Sequence, residues 1–374
     1  MAGIYVHIPF CKSRCVYCGF YSTTGKTDLQ ERYAKAVIKE SNLRALYINN
    51  VRVHTIYIGG GTPSYMRTDL LTSMVKAIKS NLGIDDGDIE EFTIECNPDD
   101  VTEDFAEAIV RMGINRVSLG VQSFSDERLR FLRRRHNAAQ AAMAVQTLRK
   151  HGIENVSIDL MFGFPGETLT EWQEDIKKAI DLNVEHISAY SLMYEEGTPL
   201  YHMMTEGKVK ECDEALSKEM YDVLIKMLSE AGYEHYEISN FAKRGYRSKH
   251  NSSYWNDNIY LGLGAAAHSY DRKSRQWNIS DIEKYIEAIE KGEIPAEKEH
   301  IDPATHYNDT ITTALRTKDG IDITKVEEPY KTYLLKNAER GIANGNLQIE
   351  NNRLSLTRQG LYISDSVMSD LIWV

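Results

Sequence analysis

Short runs rich in β-branched residues alternate with amphipathic segments over the first two thirds of the 374-residue chain. Six of these runs have the length and composition of strands, and they cover residues 4–8, 54–58, 92–96, 116–121, 156–162 and 186–192. Strand, helix and strand in repeated succession require a parallel sheet. Helices on one side and a packed interior on the other predict strands that are apolar on both faces. Because six units are too few for a closed eight-stranded barrel, the sequence predicts an α/β fold with an open, partial (β/α)6 barrel.

Polar residues mark where several of the intervening helices begin. The segments 27–30 and 168–171 have the Thr-x-x-Gln and Thr-x-x-Glu spacing of capping boxes. Thr102 and Ser125 each precede acidic residues in the manner of N-caps. These patterns predict four helix starts between the strands.

The pattern changes beyond about Pro303. Two or three helical stretches are followed by alternating segments at 346–349 and 353–356, and then by a helix from Thr357 toward Leu371. This order indicates a small α+β domain of winged-helix-like type. Since no basic recognition face accompanies it, we interpret this domain as a lid or docking module in preference to a DNA-binding domain. We therefore divide the chain into a core at 1–235, a linking segment at 236–300 and a C-terminal domain at 301–374.

Charge and hydropathy exclude several classes of protein. The formal net charge of −11 is spread along the chain without a basic stripe, which argues against tight binding of nucleic acid. The apolar stretches are short and broken by charge, and the start MAGIYVHIPF has neither a basic leader region nor a cleavage site. We expect a cytoplasmic protein without an integral membrane segment.

Three of the five cysteines lie within eight residues, in a CxxxCxxC pattern directly after the first predicted strand. Cys11, Cys15 and Cys18 supply three thiolates, which satisfy three irons of a cubane cluster and leave the fourth open to another ligand. The alternative, a zinc site or incidental clustering, lacks a nearby fourth cysteine or a suitably spaced histidine. Cys96 and Cys212 stand alone and are expected to be small buried hydrophobic residues.

The second predicted strand ends in Gly59-Gly60-Gly61-Thr62-Pro63. Without side chains, the backbone of such a loop can approach a ligand closely. Neither a Lys-Ser/Thr pair nor a GxGxxG pattern accompanies it, so it is not a phosphate loop. A simple glycine turn is the alternative.

Polar residues recur near the carboxyl ends of later strands, where barrel folds build their sites. They are Glu95 in TIECNP, Gln122 in LGVQSF and Asp159 in SIDLMFGFPGET. Each one alone could be a structural polar group with a hydrogen-bond partner. Their shared position favours a binding site.

A histidine and two aromatic residues occur together in HNSSYW at 250–255. His250, Tyr254 and Trp255 have the side chains that coordinate haem iron or pack on a porphyrin face. Tyr254 could itself be the ligand through its phenolate. The alternative interpretation is aromatic packing around a histidine that is fully hydrogen-bonded.

The segment IYVHIPFCKSRCVYCGF resembles the cluster loop of radical S-adenosylmethionine (SAM) proteins. It is most similar to the branch that contains oxygen-independent coproporphyrinogen oxidase and a family of haem chaperones, and the resemblance covers nearly the whole chain. It implies a [4Fe–4S] cluster on the three cysteines, with SAM chelating the open iron and yielding a 5′-deoxyadenosyl radical.

The resemblance also implies individual roles. Gly60, Gly61 and Thr62 would hold the methionine part of SAM. The other implied SAM contacts are Tyr5, Glu95, Gln122, Arg134 and Asp159. The family often has Gly-Arg at 133–134, and Arg133 here replaces that glycine. HNxxYW is the signature associated with haem binding in the chaperones, and it implies roles for His250, Asn251, Tyr254 and Trp255.

Two functions from different classes follow from this resemblance. One is a chaperone that binds haem and transfers it to an acceptor protein, and the other is an oxidase that decarboxylates coproporphyrinogen. Phe20 stands where the oxidase has a further cysteine, the oxidase's N-terminal segment is not expected before Tyr5, and HNxxYW is present. These three features favour the chaperone, with haem and an acceptor protein as partners. A homodimer, and a radical enzyme with another substrate, are left open, and no residue is assigned as catalytic.

Overall fold

Six parallel strands in chain order form the centre of the fold. The structure, a computed structural model, describes residues 2–48 and 51–374. The strands are β1 (Ala2–Ile8), β2 (Val53–Gly60), β3 (Glu91–Cys96), β4 (Arg116–Gln122), β5 (Asn155–Phe162) and β6 (His186–Ser191). All six predicted strands are therefore confirmed, and they form the open, partial barrel that the strand and helix order predicted.

Helices follow the strands and cover the outside of the barrel. They are α1 (Gln30–Leu43), α2 (Thr68–Asn81), α3 (Glu103–Arg111), α4 (Asp126–Phe131), α5 (Ala138–Lys150) and α6 (Leu169–Asp181). Thr102 and Ser125 cap α3 and α4, and Thr168 forms the predicted capping box with Glu171. Each cap satisfies backbone amides that have no partner within the helix.

The capping box predicted at 27–30 is wrong. Thr27 begins a short 3-10 turn, and α1 starts without a side-chain cap. The amide of Gln30 instead accepts a hydrogen bond from the backbone of Arg67 at 3.2 Å and donates one to the carbonyl of Tyr65 at 3.4 Å. This side chain therefore ties α1 to the segment after the glycine loop, because a tertiary partner competes with the local one.

The barrel strands are apolar on one face only, which corrects the expectation of two apolar faces. Ile4 pairs with Ile56 on the outer face, whereas Tyr5 pairs with Tyr57 on the inner face. Outer residues such as Ile56 and Val117 belong to the main hydrophobic core. The inner face carries polar and aromatic residues, most of them buried: Tyr5, His7, Thr55, Tyr57, Glu91, Thr93, Glu95, Arg116, Ser118, Ser157, Asp159, His186 and Ser188. The interior of the barrel is thus a polar layer beneath the carboxyl ends of the strands.

Residues 199–300 extend the same sheet at both edges. These elements are α7 (Pro199–Thr205), α8 (Glu214–Glu230), β7 (Glu234–Glu237), β8 (Asn240–Ala242), α9 (Lys249–Trp255), β9 (Ile259–Leu263), β10 (His268–Tyr270), β11 (Ser274–Asn278), α10 (Ile282–Lys291) and β12 (Ala296–His300). β8 pairs antiparallel with β6, and β9 pairs parallel with β1. The result is a mixed sheet of twelve strands among the described residues.

Helix α9 lies under the amino ends of the barrel strands. The carboxylate of Glu91, at the start of β3, accepts hydrogen bonds from the backbone amides of Lys249 at 2.8 Å and His250 at 2.9 Å. An anionic group is favourable at a helix start because the free amides there carry partial positive charge. This contact places the HNSSYW segment against the floor of the barrel.

The C-terminal residues form a small α+β unit with its own hydrophobic core, which includes Tyr307, Ile311, Leu334 and Leu354. Its elements are α11 (Pro303–Ala314), β13 (Ile321–Asp322), α12 (Tyr330–Ala343), β14 (Leu347–Glu350), β15 (Arg353–Leu356), α13 (Arg358–Leu361) and α14 (Ser364–Ser369). The predicted single helix after Thr357 is thus two short helices. The exact domain limits stay a prediction.

In the part of the chain that the structure describes, no helix has both the length and the apolar character needed to cross a bilayer.

Candidate functional site

The cysteine loop follows β1 and is held in place by distant parts of the chain. The backbone amide of Cys11 donates to the carbonyl of Thr23 at 2.9 Å. Val16, between the second and third cysteines, donates to Leu132 at 3.3 Å and accepts from Leu200 at 2.9 Å. The side chains of these last three residues are buried in one small apolar cluster. The loop is therefore fixed by tertiary contacts before any ligand is considered.

The three predicted cysteines line one cavity of about 170 Å³ at the carboxyl ends of the strands. Burial raises the pKa of the Cys11 and Cys18 thiols. Cys96 also borders this cavity, although it follows Glu95 on the apolar outer face of β3 and is buried in the main core. No three His, Cys, Asp or Glu side chains of the described residues are placed to hold a single metal ion.

The glycine loop closes one side of the cavity, and its lack of side chains is required by space. A Cβ atom on Gly61 would lie 2.9 Å from Sγ of Cys11, and one on Gly60 would lie 2.7 Å from the ring of His7. The backbone amides of the loop already have partners: Gly60 donates to Glu95, Gly61 to Ile8 and Thr62 to Phe10. The backbone groups that this loop can offer a ligand are consequently carbonyl oxygens, while the hydroxyl of Thr62 donates to Sγ of Cys11 at 3.4 Å.

Glu95 is a partly buried carboxylate between the glycine loop and the barrel interior. Its Oε2 accepts the hydrogen bond from Gly60 at 3.0 Å, and its Oε1 accepts one from the hydroxyl of Tyr57 at 2.7 Å. Burial raises the pKa of Glu95 to about 7, against the opposing effect of these hydrogen bonds. The carboxylate is thus poised to change its charge near neutral pH.

Gln122 lies where β4 leaves the regular sheet. Its backbone has φ of +68°, in the left-handed region that non-glycine residues rarely adopt. The regular pairing of β4 with β5 is interrupted between Leu119 and Gln122. The bend directs this buried side chain toward the cavity that the cysteines line. Such strain is common at functional sites.

Of the three consecutive arginines, Arg134 is the one joined to the cysteine loop. Its Nη1 donates to Sγ of Cys15 at 3.4 Å, and its Nη2 donates to the carbonyl of Gly120 at 2.6 Å and to the amide oxygen of Asn97. Arg135 is committed to Asp99 and Asp100 instead. Nε of Arg134 is buried with no partner among the described residues. The geometry therefore favours Arg134 over its neighbours.

Asp159 lies across the cavity from Glu95, on the inner face of β5. Burial raises the pKa of Asp159 to about 6, while hydrogen bonds from Ser188 and Ser118 oppose this shift. The same residue also lines a second cavity of about 440 Å³, which reaches the surface beside Phe20, Tyr190 and Met193. Phe20 is 72% exposed. A polar interior thus opens through an apolar mouth next to the cysteines.

Tyr5 does not line the cavity of the cysteines. Its hydroxyl is hydrogen-bonded to Nδ1 of His7 at 3.0 Å, and its ring stacks on Tyr57. The structure brings Tyr5 into the polar layer of the barrel, below the other predicted contacts. Its role toward SAM stays a prediction.

His250 points into the barrel floor and is completely buried. Nδ1 is hydrogen-bonded to Thr55 at 2.8 Å, and Nε2 to the hydroxyl of Tyr254 at 2.9 Å. The ring also stacks on Tyr57, with centroids 5.1 Å apart. Burial lowers the pKa of His250 to about 3, so the imidazole is neutral. Both ring nitrogens have partners, and one hydrogen bond would have to break before His250 could bind iron.

The remaining residues of HNSSYW lie on two sides of α9. Asn251 lines the cavity that opens beside Phe20. Tyr254 and Trp255 line a different cavity, on the side of α9 that faces α11. The structure therefore does not bring the four predicted residues to one surface.

Three inner-face residues were not identified from the sequence. Tyr57 supports Glu95, Thr55 supports His250, and Arg116 lines the cavity next to Phe20. Nε and Nη1 of Arg116 are buried and make no hydrogen bond within the described chain, and Nε lies 4.0 Å from a carboxylate oxygen of Glu91. The alternation of polar and apolar residues in HTIYI and RVSLGV is the signal that could have revealed them.

Two family matches agree with this architecture. Residues 5–179 match the radical SAM superfamily, and residues 301–363 match the family described as the HemN C-terminal domain. The protein is a radical SAM protein. Relatives named heme chaperone HemW are similar over most of its length: the Lactococcus lactis protein is 34% identical, covering 87% of this chain and 84% of that one. The Bacillus subtilis protein is 32% identical and covers 98% of each. The chain belongs to the HemW family.

One solved structure extends the comparison to the fold. Escherichia coli coproporphyrinogen III oxidase, HemN, described as a radical SAM enzyme, superposes with a TM-score of 0.86 at 20% identity. The match covers 99% of this chain and 90% of that chain. At this identity the likeness shows the shared fold alone.

Proposed function

We propose that this protein is a haem chaperone, which binds haem and a [4Fe–4S] cluster with SAM and transfers the haem to an acceptor protein in the cytoplasm. The similarity over 98% of its length to a protein named heme chaperone HemW carries this proposal. The radical SAM family implies the cluster and SAM, and the relatives' name suggests the haem.

The residues of the cavity fit the implied cluster. Cys11, Cys15 and Cys18 provide three sulfur ligands at one cavity, and a Cβ on Gly61 would collide with the first of them. Three thiolates leave one iron free for another ligand. When bound, the cluster would supply an electron to SAM. Arg134 beside Cys15 would stabilise the negative charge of the thiolates.

The proposed SAM contacts follow from charge and hydrogen-bonding capacity. SAM carries an amino group that donates hydrogen bonds. The carbonyl oxygens of the Gly60–Thr62 loop and the carboxylate of Glu95 can accept these hydrogen bonds. Arg134 provides a partly buried cation for the carboxylate of SAM. Gln122 and Asp159 line the same cavity and are assigned to its remaining polar groups.

The alternative is a coproporphyrinogen oxidase-like enzyme. The cavity of about 440 Å³ has an apolar mouth beside the cysteines, and inside it Arg116 has two nitrogens without a hydrogen bond. It favours this second candidate because it could admit an anionic substrate. Phe20 in place of a cysteine argues against it, as does the higher identity to the chaperones than to HemN.

The two candidates are separated by incubating the anaerobically reconstituted protein with haem and, in parallel, with coproporphyrinogen. We expect stoichiometric haem uptake by absorption, no decarboxylated product by mass spectrometry, and transfer of the haem to a purified apo-haemoprotein. Decarboxylation without retained haem would reverse the assignment.

A further inference from the structure

A large cleft lies between α9 and the C-terminal unit. It consists of two cavities of about 590 Å³ and about 300 Å³. They share five lining residues, which are Trp255, Asp257, His306, Thr310 and Thr313. Small-molecule sites usually measure ~300–1,000 Å³, so this α9–α11 cleft is large enough for a ligand the size of a porphyrin.

The chain contains eleven histidines, and most of their rings are already hydrogen-bonded. Eight of them, including His250, use at least one ring nitrogen in this way. His202, His268 and His306 are the three described histidines whose rings make no hydrogen bond. Of these three, His306 lines the α9–α11 cleft. It is therefore the histidine best placed to offer a free nitrogen to a large ligand.

His306 lies in the first turns of α11 and its side chain is 45% exposed. Its Nε2 is 3.5 Å from a carboxylate oxygen of Asp257. Asp257 is itself held by Tyr270 and Arg272. A carboxylate beside a ligating imidazole orients the ring and increases its basicity. The pair has the composition of a metal-ligating histidine with its supporting acid.

The walls of the cleft suit a flat apolar ring. Tyr254 meets Tyr260 edge to face at 4.8 Å, and Tyr260 stacks on Tyr270 at 5.9 Å. Trp255 borders both cavities, and its Nε1 is buried with no partner among the described residues. Aromatic side chains of this kind cover the apolar faces of large ligands.

Cations at the edge of the cleft suit the carboxylates of such a ring. Lys325 and Arg353 line the larger cavity together with Asp302 and Glu327, and Lys325, which is 80% exposed, lies 3.8 Å from Asp322. An exposed ammonium group can change partner at little cost, because a surface ion pair contributes only ~0–1 kcal/mol.

From this arrangement we infer that the α9–α11 cleft is the haem site, with His306 as the axial ligand. In the same inference, His250 is a positioning residue. It lies on the barrel side of α9 and is hydrogen-bonded to the hydroxyl of Tyr254. The inference rests on the proposed function, since it names where the haem of that function binds. It assigns Tyr254 and Trp255 to the wall of the α9–α11 cleft. The iron-binding histidine then lies on α11, outside the HNxxYW signature.

The test is an absorption titration of the reconstituted protein with ferric haem, using His306→Ala and the control His268→Ala, which removes another unbonded histidine outside the cleft. We expect the control to match the parent. His306→Ala is expected to lose the spectrum of histidine ligation and to bind haem at least about tenfold more weakly, and added imidazole should restore the spectrum. Asp257→Asn should weaken haem binding ~10-fold.

A second variant tests the cleft without removing the ligand. Thr310→Trp places a large side chain between the two cavities and should abolish haem binding, while iron content and thermal unfolding report that the protein is folded. If the parent binds haem and both His306→Ala and Thr310→Trp keep its spectrum and affinity, the cleft is not the site. Loss of ligation in His250→Ala alone would also overturn the inference. A parent that binds no haem at all would instead refute the proposed function.

Discussion

The hydroxyl of Tyr57 donates a 2.7 Å hydrogen bond to Glu95, while the ring of the same tyrosine stacks on His250. One side chain thus joins the carboxylate beside the glycine loop to the histidine on the barrel floor. Since His250 is buried and Glu95 is partly buried, a change at either end alters the environment of the other.

Tyr57→Phe should shift the pH dependence of SAM binding. The hydroxyl lowers the pKa of Glu95, so its removal raises a pKa that burial already brings to about 7. A carboxylate is charged above its pKa, so the variant should bind SAM more weakly near neutral pH and approach the parent at higher pH. Asp159 and Arg116 also face Glu95 and stay unchanged in this variant. Calorimetric titrations at several pH values would show this, and an equal loss at every pH would contradict it.

Each of the three loop cysteines should be required for the cluster. Cys11→Ala, Cys15→Ala and Cys18→Ala should each reduce the iron bound per chain well below four, because the ligand set is incomplete. Cys96→Ala is the matched control, since that cysteine borders the same cavity but belongs to the core. Chemical iron analysis and electron paramagnetic resonance provide the measurement. A full complement of iron in Cys11→Ala would refute the ligand assignment.

Gly61→Ala should impair the cysteine loop. The added methyl group would lie 2.9 Å from Sγ of Cys11 and 3.0 Å from the carbonyl oxygen of Phe10, so the loop must shift. Such overpacking typically costs ~1–3 kcal/mol. Gly87→Ala is the control, because its Cβ would meet a single atom at 3.4 Å. Denaturant unfolding and iron retention should separate the two variants, and equal stability would contradict the crowding argument.

Gln122→Ala and Asp159→Asn should weaken SAM binding and leave the cluster intact. Both side chains line the cavity of the cysteines, and neither is one of the three proposed sulfur ligands. Each variant removes one polar contact, and a loss of ~1–3 kcal/mol in binding is expected if a polar partner is left unsatisfied. Calorimetry with SAM, alongside iron analysis, checks the prediction. Unchanged affinity in both variants would identify them as structural residues.

His250→Gln should make the protein less sensitive to acid. The folded state holds the pKa of His250 at about 3, below the ordinary value of 6.5, so the unfolded chain binds the extra proton first. Stability from this group is present above about pH 6.5 and is lost as the pH falls toward 3, at up to ~1.4 kcal/mol per pH unit. Denaturant unfolding across this range should show a shallower slope for the variant. A variant slope equal to that of the parent would contradict this prediction.

The order of strands and helices was predictable because local composition and helix caps decide it. The polar interior of the barrel was not predictable in the same way: local composition predicts two apolar faces, whereas the polar residues of the inner face find partners on neighbouring strands, as Tyr57 does in Glu95. Thr27 does not form the expected capping box because the side chain of Gln30 is hydrogen-bonded to Arg67, 37 residues away. Contacts between residues distant in sequence determined both differences.

The same limit applies to the candidate site. Glu95, Gln122 and Asp159 were predictable because they lie near the carboxyl ends of strands, which parallel strands bring together. The cysteines were predictable from their spacing, and Arg134 only from the family resemblance. His250 and Tyr254 are four residues apart in one helix, and sequence indicates that they can touch. It does not indicate that Thr55 occupies the other ring nitrogen.

The anchoring of the cysteine loop also sets an order of events during synthesis. Val16 receives its hydrogen bond from Leu200 and donates one to Leu132. When only the first strand and helix units of the barrel have emerged from the ribosome, the nascent chain contains the three thiols. It still lacks the residues that hold the cysteine loop in position. Delivery of iron and sulfide to this loop is expected to follow translation of at least the first two hundred residues.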